Sequence, residues 1–342
     1  MADWQINVPL DIPQENVLRL NESKVITGSA GSGKTLLAVH KAKNLQASKK
    51  GTFYFIVLTK ALRRFISSGV QALNIPDTKV LYAWEWKKYD CPSADYIMID
   101  EAQDFGEEDI NLFKDKAKKV VMFFGDTAQQ VYENTTKGDP CVSMDDIKSI
   151  TALDEITLLR NHRLYPAIAK VAQYLNPDED IVSKCTKSGG SKPIVKQFDS
   201  QSEELDWIVE QIKDRQLKDV GILLPRNMAE EEGNIDGVFE TFNYLKDKGL
   251  SLGVKYTKNK SAVENLDFKS DTVNIMTYHS AKGLQFKTVF LPFCESDIDD
   301  YFWQKAFYVA LTRTSENLII TYTNEITPFL LDPLNNNLLQ VI

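Results

Sequence analysis

The residues Gly28-Ser29-Ala30-Gly31-Ser32-Gly33-Lys34-Thr35 stand between an apolar, strand-like run, Lys24-Val25-Ile26-Thr27, and a helix-like run from Leu36 to Ala42. The spacing G-x-x-x-x-G-K-[ST] dictates a strand, a tight loop and a helix. Its glycines let the backbone curl so that successive N–H groups point inward, and the helix adds the positive end of its dipole to that cradle. Lys34 is then placed to neutralise phosphate oxygens, and the Thr35 hydroxyl to hold Mg²⁺. A Gly/Ser-rich turn with an accidental lysine is the competing reading, and the flanking strand and helix argue against it.

The next apolar run, Gly51 to Leu58, is nearly continuous and rich in β-branched residues, as in a strand buried on both faces of a parallel sheet. It ends in Thr59-Lys60, polar and basic residues where open α/β sheets bind ligands. Leu81 to Tyr89 interleaves aromatics with lysines. Such a stretch either stacks bases or forms an amphipathic helix with its aromatic face in the core. Tyr96 to Ile99 reads as a strand that stops at Asp100-Glu101. Asp100 is placed to reach the cation on Thr35, and Glu101 to polarise an attacking water. A further strand, Val120 to Phe124, runs into Gly125-Asp126, followed by Gln129 with an amide suited to sensing a γ-phosphate or its water, and Tyr132 with a ring for a base. Upstream, the short helix expected over Asp11–Leu20 carries Gln14, whose amide has the donor and acceptor that reading an adenine edge requires. An exposed helical glutamine is the alternative.

A chain of 342 residues suggests two domains, here 1–150 and 151–342. No Pro, Gly or Ser linker marks the boundary; a second α/β series starts near Thr151 with Ile156–Leu159, a helix after Tyr165-Pro166, Pro193–Val195, Glu203–Ile212 and Val220–Leu224. A formal net charge of −8 speaks against wholesale wrapping of nucleic acid and allows a local basic groove. The four cysteines form no C-x-x-C pair and the three histidines no ligand cluster, so free thiols in a reducing compartment are expected, without zinc. No basic region leads into an apolar core at Met1, and no apolar run has the length of a membrane span. The expected location is cytoplasmic, with no membrane contact.

Taken in order, these segments resemble the motifs of the UvrD/Rep/PcrA group of superfamily 1 helicases. Gly28–Thr35 is similar to motif I, Thr59–Arg63 to motif Ia, Asp100-Glu101-Ala102-Gln103 to motif II, and Gly125-Asp126 with Gln129 to motif III. Leu159-Arg160-Asn161-His162-Arg163 resembles motif IV and Ile222–Asn227 motif IVa. Thr277-Tyr278-His279-Ser280-Ala281-Lys282-Gly283-Leu284-Gln285-Phe286 resembles motif V, and Tyr308-Val309-Ala310-Leu311-Thr312-Arg313 motif VI. The last two are far more selective than a bare phosphate loop.

The resemblance implies an α/β fold of two RecA-like P-loop domains with mainly parallel sheets, and ATP with Mg²⁺ bound between them. It gives Lys34, Glu101, Gln129, Arg163 and Arg313 catalytic roles, with the two arginines reaching the γ-phosphate. Gln14, Gly28, Ser29, Ala30, Gly31, Ser32, Gly33, Lys34, Thr35, His162 and Gln285 would contact the nucleotide, and Thr35 and Asp100 the metal. Thr59, Lys60, Trp84, Tyr132, Thr277 and His279 would contact single-stranded DNA, with an RNA strand left open. The chain departs from the family's pattern at three places: His162 replaces the usual tyrosine, Gln285 an acid that accepts the ribose hydroxyl, and Glu133-Asn134-Thr135 an aromatic-arginine-glycine continuation. Only a short segment joins motifs Ia and II, and only one helix, Val238–Lys246, and one strand, Ser251–Tyr256, are expected between motifs IVa and V, so the two large accessory insertions are absent or vestigial. The reading implied is an ATP-dependent single-strand translocase or helicase core. The alternative is a nucleotide-gated regulatory ATPase that switches a protein partner such as a nuclease.

Overall fold

Strands that bury both faces organise the first of two units in the computed structural model, which describes residues 8–70, 73–135, 138–258, 261–299 and 301–342. This unit runs to His162. Its elements are α1 (Ile12–Arg19), β1 (Lys24–Gly28), α2 (Lys34–Ser48), β2 (Phe53–Val57), α3 (Lys60–Val70), β3 (Val80–Tyr82), α4 (Ala83–Lys88), β4 (Ala94–Ile99), α5 (Glu107–Lys116), β5 (Ala117–Gly125), α6 (Met144–Thr151) and β6 (Glu155–Leu158). The sheet is parallel throughout, in the order β3-β2-β4-β5-β1-β6.

Alternation along each strand splits the apolar side chains between two cores. Phe53, Phe55, Val57, Met98, Met122 and Phe124 pack with Leu37 and Ile66 of α2 and α3. Ile56, Ile97, Ile99, Val121 and Phe123 pack with Trp86, Phe113 and Ile147 of α4, α5 and α6. Each such side chain stabilises the fold by about 1.5–3 kcal/mol when fully buried. The pleat therefore fixes which face each side chain takes, and the parallel pairing brings the carboxyl ends of β1, β4 and β5 to one edge.

The second unit begins at Arg163. It contains α7 (Pro166–Leu175), β7 (Ile194–Gln197), α8 (Gln201–Asp214), β8 (Val220–Leu224), α9 (Val238–Leu245), β9 (Ser251–Lys258), β10 (Ser261–Asn265), β11 (Thr272–Thr277), β12 (Phe286–Leu291), α10 (Tyr301–Leu311), β13 (Thr314–Tyr322), α11 (Leu331–Asn335) and β14 (Gln340–Val341). Its sheet has the order β10-β9-β11-β8-β12-β13-β7-β14 and is parallel except for the β9–β10 hairpin. The fold is thus α/β with mainly parallel sheets.

Two boundaries differ from the sequence reading. The strand at Ile156, expected to open the second domain, pairs instead with β1 in the first sheet, with Val25 beside Glu155 and Gly28 beside Leu158. Leu158 belongs to the same core as Val17 and Leu37, so the division falls between His162 and Arg163 rather than at 150/151. Between motifs IVa and V the chain makes a hairpin rather than a single strand. The second strand, Ser261-Ala262-Val263-Glu264-Asn265, is exposed along most of its length and lacks the apolar alternation that would have marked it.

Candidate functional site

At the carboxyl end of β1 the chain turns into α2 through Gly33, whose φ of +88° is a left-handed conformation that glycine adopts without steric cost. A Cβ there would come within 2.7 Å of the Gln14 amide nitrogen. The hydroxyls of Ser29 and Ser32 are buried and have no hydrogen-bond partner among the described residues, although buried hydroxyls are normally bonded. Lys34 is also buried, its ammonium donating to the carbonyls of Gly28 and Ser29. Donors left unsatisfied around a glycine-shaped loop at a helix N-terminus suit a polyphosphate.

Thr35 Oγ1 donates to Asp100 Oδ2 at 2.7 Å. Burial, followed by the charge of Glu101, pushes the Asp100 carboxyl up to about 7, against the pull of the Thr35 hydroxyl and Lys34. A buried carboxylate beside a hydroxyl fits Mg²⁺, which takes one or two protein oxygens and completes its shell with water and substrate phosphates. Among the described residues no group of three or more His, Cys, Asp or Glu forms a metal cage. Thr35 and Asp100 would hold the ion, and the ion when bound would offset phosphate charge.

Glu101 follows in a left-handed conformation, φ 53° and ψ 43°. For a residue with a side chain this costs on the order of 1–3 kcal/mol and persists where the surroundings over-determine it. Here they do. Gln103 Nε2 donates to Glu101 Oε2 (2.7 Å), Gln103 Oε1 accepts from the Asp126 N–H (3.1 Å), and Gln130 Nε2 donates to the Gln103 carbonyl (2.6 Å). Gln129 Nε2 donates to Asp126 Oδ2 at 2.5 Å. One polar chain therefore links Glu101, at the end of β4, to Gln129, beyond the end of β5. Its carboxylate, oriented from one side by an amide, can accept a proton from a water on the other. The sequence reading gave roles to Glu101 and Gln129 but none to Gln103 and Asp126, which join them.

Gln14 is buried and closes a capping box, its Oε1 accepting from the Asp11 N–H and its backbone N–H donating to Asp11 Oδ1. Its Nε2 donates to the Ser32 carbonyl at 3.0 Å. The exposed-glutamine alternative is thereby excluded: the amide ties α1 to the phosphate loop, with one N–H and one lone pair left for a base. Lys41 of α2 donates to the Leu18 and Leu20 carbonyls at the other end of α1. From beyond β6, buried Asn161 donates to the Ala30 carbonyl (2.6 Å) and the His162 N–H to that of Gly31 (2.9 Å). The His162 ring lies 3.3 Å from Asp11 Oδ2. Asn161 braces the loop, a role visible only once β6 is known to lie beside β1.

Among the residues expected to meet a strand, Thr59 accepts from the Leu62 N–H through Oγ1, capping α3. Lys60 is exposed, its ammonium 5.4 Å from the centroid of the Tyr82 ring. Tyr82 stacks on Trp84 at 6.0 Å and 13°, and Lys88 lies 5.4 Å from the Trp84 ring. The alternatives left open for Leu81–Tyr89 divide between two tryptophans: Trp84 is 61% exposed, whereas Trp86 is fully buried against Phe113. Tyr132 is half-buried, and burial with the neighbouring Asp104, Cys141 and Glu101 keeps its hydroxyl protonated well above the usual tyrosine range.

In the second unit, Arg163 Nε donates to Gln285 Oε1 (3.0 Å) and its Nη1 to the Thr312 carbonyl (3.0 Å). Arg313 is fully buried, with donors on the Val309 and Leu284 carbonyls and on Thr312 Oγ1. Residues from the stretches similar to motifs IV, V and VI are thus brought together. Thr277 is buried and engages Ser280 through its hydroxyl. Burial, then Lys282, lowers the His279 pKa to about 4, so its ring is neutral at neutral pH.

The chain matches the family models of an AAA domain over residues 14–184, half its length, and of the UvrD-like helicase C-terminal domain over residues 254–325. It is 24% identical to the "Putative ATP-dependent DNA helicase" of Acanthamoeba polyphaga mimivirus, over 91% of this chain and 43% of that protein. It therefore spans less than half of that relative's length. Among solved structures, the PRRSV helicase is similar with a TM-score of 0.45 at 18% identity, over 91% of this chain and 54% of the other. The arterivirus nonstructural protein 10 helicase, in complex with DNA, gives 0.44 at 15% identity, over 90% and 62%. No helix among the described residues is long and apolar enough to cross a membrane. With the phosphate loop, the Thr35–Asp100 pair and both family matches on one chain, the protein belongs to the UvrD-like superfamily 1 helicases.

Proposed function

We propose that this chain is an ATP-driven motor core that hydrolyses ATP with Mg²⁺ and moves along single-stranded DNA. Residues up to 162 would form the ATP-binding RecA-like domain, with Lys34 and the loop N–H groups holding the phosphates, Thr35 and Asp100 the metal, Glu101 accepting the proton of the attacking water, and Gln129 sensing the γ-phosphate. Residues from 163 on would form the second RecA-like domain. Arg163 and Arg313 would supply positive charge to the transferring phosphoryl group, where such arginines accelerate hydrolysis by about 10³–10⁵. Gln14, His162 and Gln285 would contact base or ribose, and Thr59, Lys60, Trp84, Tyr132, Thr277 and His279 the strand.

The observation that carries the reading is the Thr35–Asp100 hydrogen bond beside a Glu101 oriented by Gln103. Such a grouping suits the acid–base and cation work of nucleotide hydrolysis beside a glycine-shaped loop. The test is ATP turnover with and without single-stranded DNA, beside a matched RNA strand. Stimulation by DNA that weakens with salt and disappears in Lys34→Ala is expected. Turnover indifferent to either strand at low salt removes the motor reading, and stimulation by RNA alone changes its track.

A further inference from the structure

Lys187 lies outside every motif discussed above, yet it touches the neighbourhood of both arginines. Its ammonium donates to the Ser315 carbonyl at 2.8 Å and sits 4.6 Å from the centroid of the Tyr165 ring. Ser315 follows Arg313 by two positions, and Tyr165 follows Arg163 by two. The side chain is about half buried; burial lowers its pKa, opposed by Glu316 and reinforced by Arg163, whose charge is therefore close by. The loop that delivers it is shaped to that ring. Gly190 has a φ of +86°, and a Cβ there would come within 2.5 Å of Tyr165 Cβ and Cγ, so a residue with a side chain would lift the loop away.

The two segments are also joined directly, by Arg163 to the Thr312 carbonyl. A bond of this kind fixes a distance more firmly than a rotation. A second tie, from the ring after Arg163 through an ammonium to the carbonyl after Arg313, removes the rotation. A lysine suits the task, because a cation can rest on an aromatic face while donating to a carbonyl.

We infer that Lys187 is a positioning residue that cross-braces the Arg163–Tyr165 and Thr312–Ser315 segments, so that the two guanidinium groups act as a pair. Its purpose rests on the hydrolysis proposed above; the brace itself does not.

The test uses the full chain with Lys187→Met, Lys187→Arg and Tyr165→Leu, and two readouts. The first is amide hydrogen exchange, which reports local opening segment by segment. Lys187→Met is expected to speed exchange by about tenfold in both 163–168 and 310–316, with the rest of the chain unchanged. The second is steady-state ATP hydrolysis with single-stranded DNA. Because small displacements of reacting groups cost up to ~10² in rate, kcat is expected to fall by about 10–100-fold while KM for ATP stays within about threefold. Lys187→Arg should recover most of kcat, and Tyr165→Leu should reproduce both changes, also where Lys187→Met fails to fold. Faster exchange confined to 186–192, or a raised KM at unchanged kcat, overturns the brace. Absence of turnover in the unaltered protein removes the hydrolysis reading, and the exchange comparison then decides the brace by itself.

Discussion

The acidic site of the first unit and the two arginines, Arg163 and Arg313, of the second are held by different kinds of partner. In the first, side chain meets side chain: Thr35 on Asp100, Gln103 on Glu101, Gln129 on Asp126. In the second, the two guanidinium groups rest on backbone carbonyls and neutral side-chain oxygens, Arg163 on the Thr312 carbonyl and the Gln285 amide, Arg313 on the Val309 and Leu284 carbonyls and the Thr312 hydroxyl. A carbonyl oxygen orients a guanidinium without a full charge of its own, whereas burial works against the charge of a carboxylate such as Asp100, which Thr35 and Lys34 support. The first site is thus a set of side chains that orient one another, and the two arginines are oriented in part by main-chain oxygens. The same contrast holds between buried carboxyls. Asp100 is pushed up to about 7 with Lys34 and Thr35 beside it, while Glu204 of α8 is pushed up to about 8 by burial, helped by Glu295 and opposed only by hydrogen bonds.

The contrast breaks most visibly at Arg163. If its charge serves a transferring phosphoryl group, Arg163→Ala should cut DNA-stimulated ATP turnover by about 10³–10⁵ while the folded chain keeps its nucleotide affinity within about tenfold. Single-turnover and binding measurements together decide this. A loss of less than tenfold would mean that the carbonyl-held arginines are structural. Arg313→Ala is the less clean probe, since a fully buried side chain also contributes packing.

Within the first unit, Glu101→Gln keeps an oxygen for the Gln103 amide and removes the base. Turnover should fall by about 10²–10⁴, the usual worth of general acid–base catalysis, with little change in ATP affinity. Near-normal turnover in this variant would assign proton removal elsewhere and leave the left-handed backbone of Glu101 without a functional reason.

These sites differ in how far the sequence discloses them. Gly28–Thr35 and Asp100-Glu101 are legible because each chemistry is set by neighbours in the chain and the strand periodicity around them is strong. Asn161 as a brace, Glu204 as a core acid and Lys187 as a tie are not, because each depends on which distant strands pair. The pairing of β6 with β1 moved Ile156 and Leu158 into the first sheet, and nothing within Ile156–Leu159 encodes that choice. Residues 81–89 were ambiguous for a different reason: positions two apart on a helix face nearly opposite ways, so Trp84 and Trp86 could not share one role.

Glu204 sharpens the carboxyl comparison through pH. Its Oε1 accepts from the Phe293 N–H and the Thr321 hydroxyl, and its Oε2 has no hydrogen-bond partner among the described residues. Against an ordinary value of 4.5, a folded pKa of about 8 means that the folded chain keeps a proton which the unfolded chain releases between those limits. The second unit should therefore be most stable below pH 4.5 with respect to this group and lose stability as pH rises toward 8, on the order of a few kcal/mol in all. Glu204→Gln should be close to the parent at pH 5 and more stable at pH 8, measured by denaturant unfolding at each pH. Equal slopes with pH for the two proteins would mean that the carboxyl ionises freely in the fold.

The smallest effect separates the two tryptophans of α4. Trp84, exposed and stacked on Tyr82 between Lys60 and Lys88, offers a face to a base; each base stacked on an aromatic is worth about 1–3 kcal/mol. Trp84→Ala should weaken binding of a single strand by up to that amount and leave thermal stability unchanged, with quenching of Trp fluorescence in the parent as the direct signal. Trp86→Ala should do the reverse, destabilising the fold by about 3–5 kcal/mol as deletion of a buried aromatic does. If strand affinity falls no further in Trp84→Ala than in Trp86→Ala measured where both are folded, the exposed ring is not a stacking station.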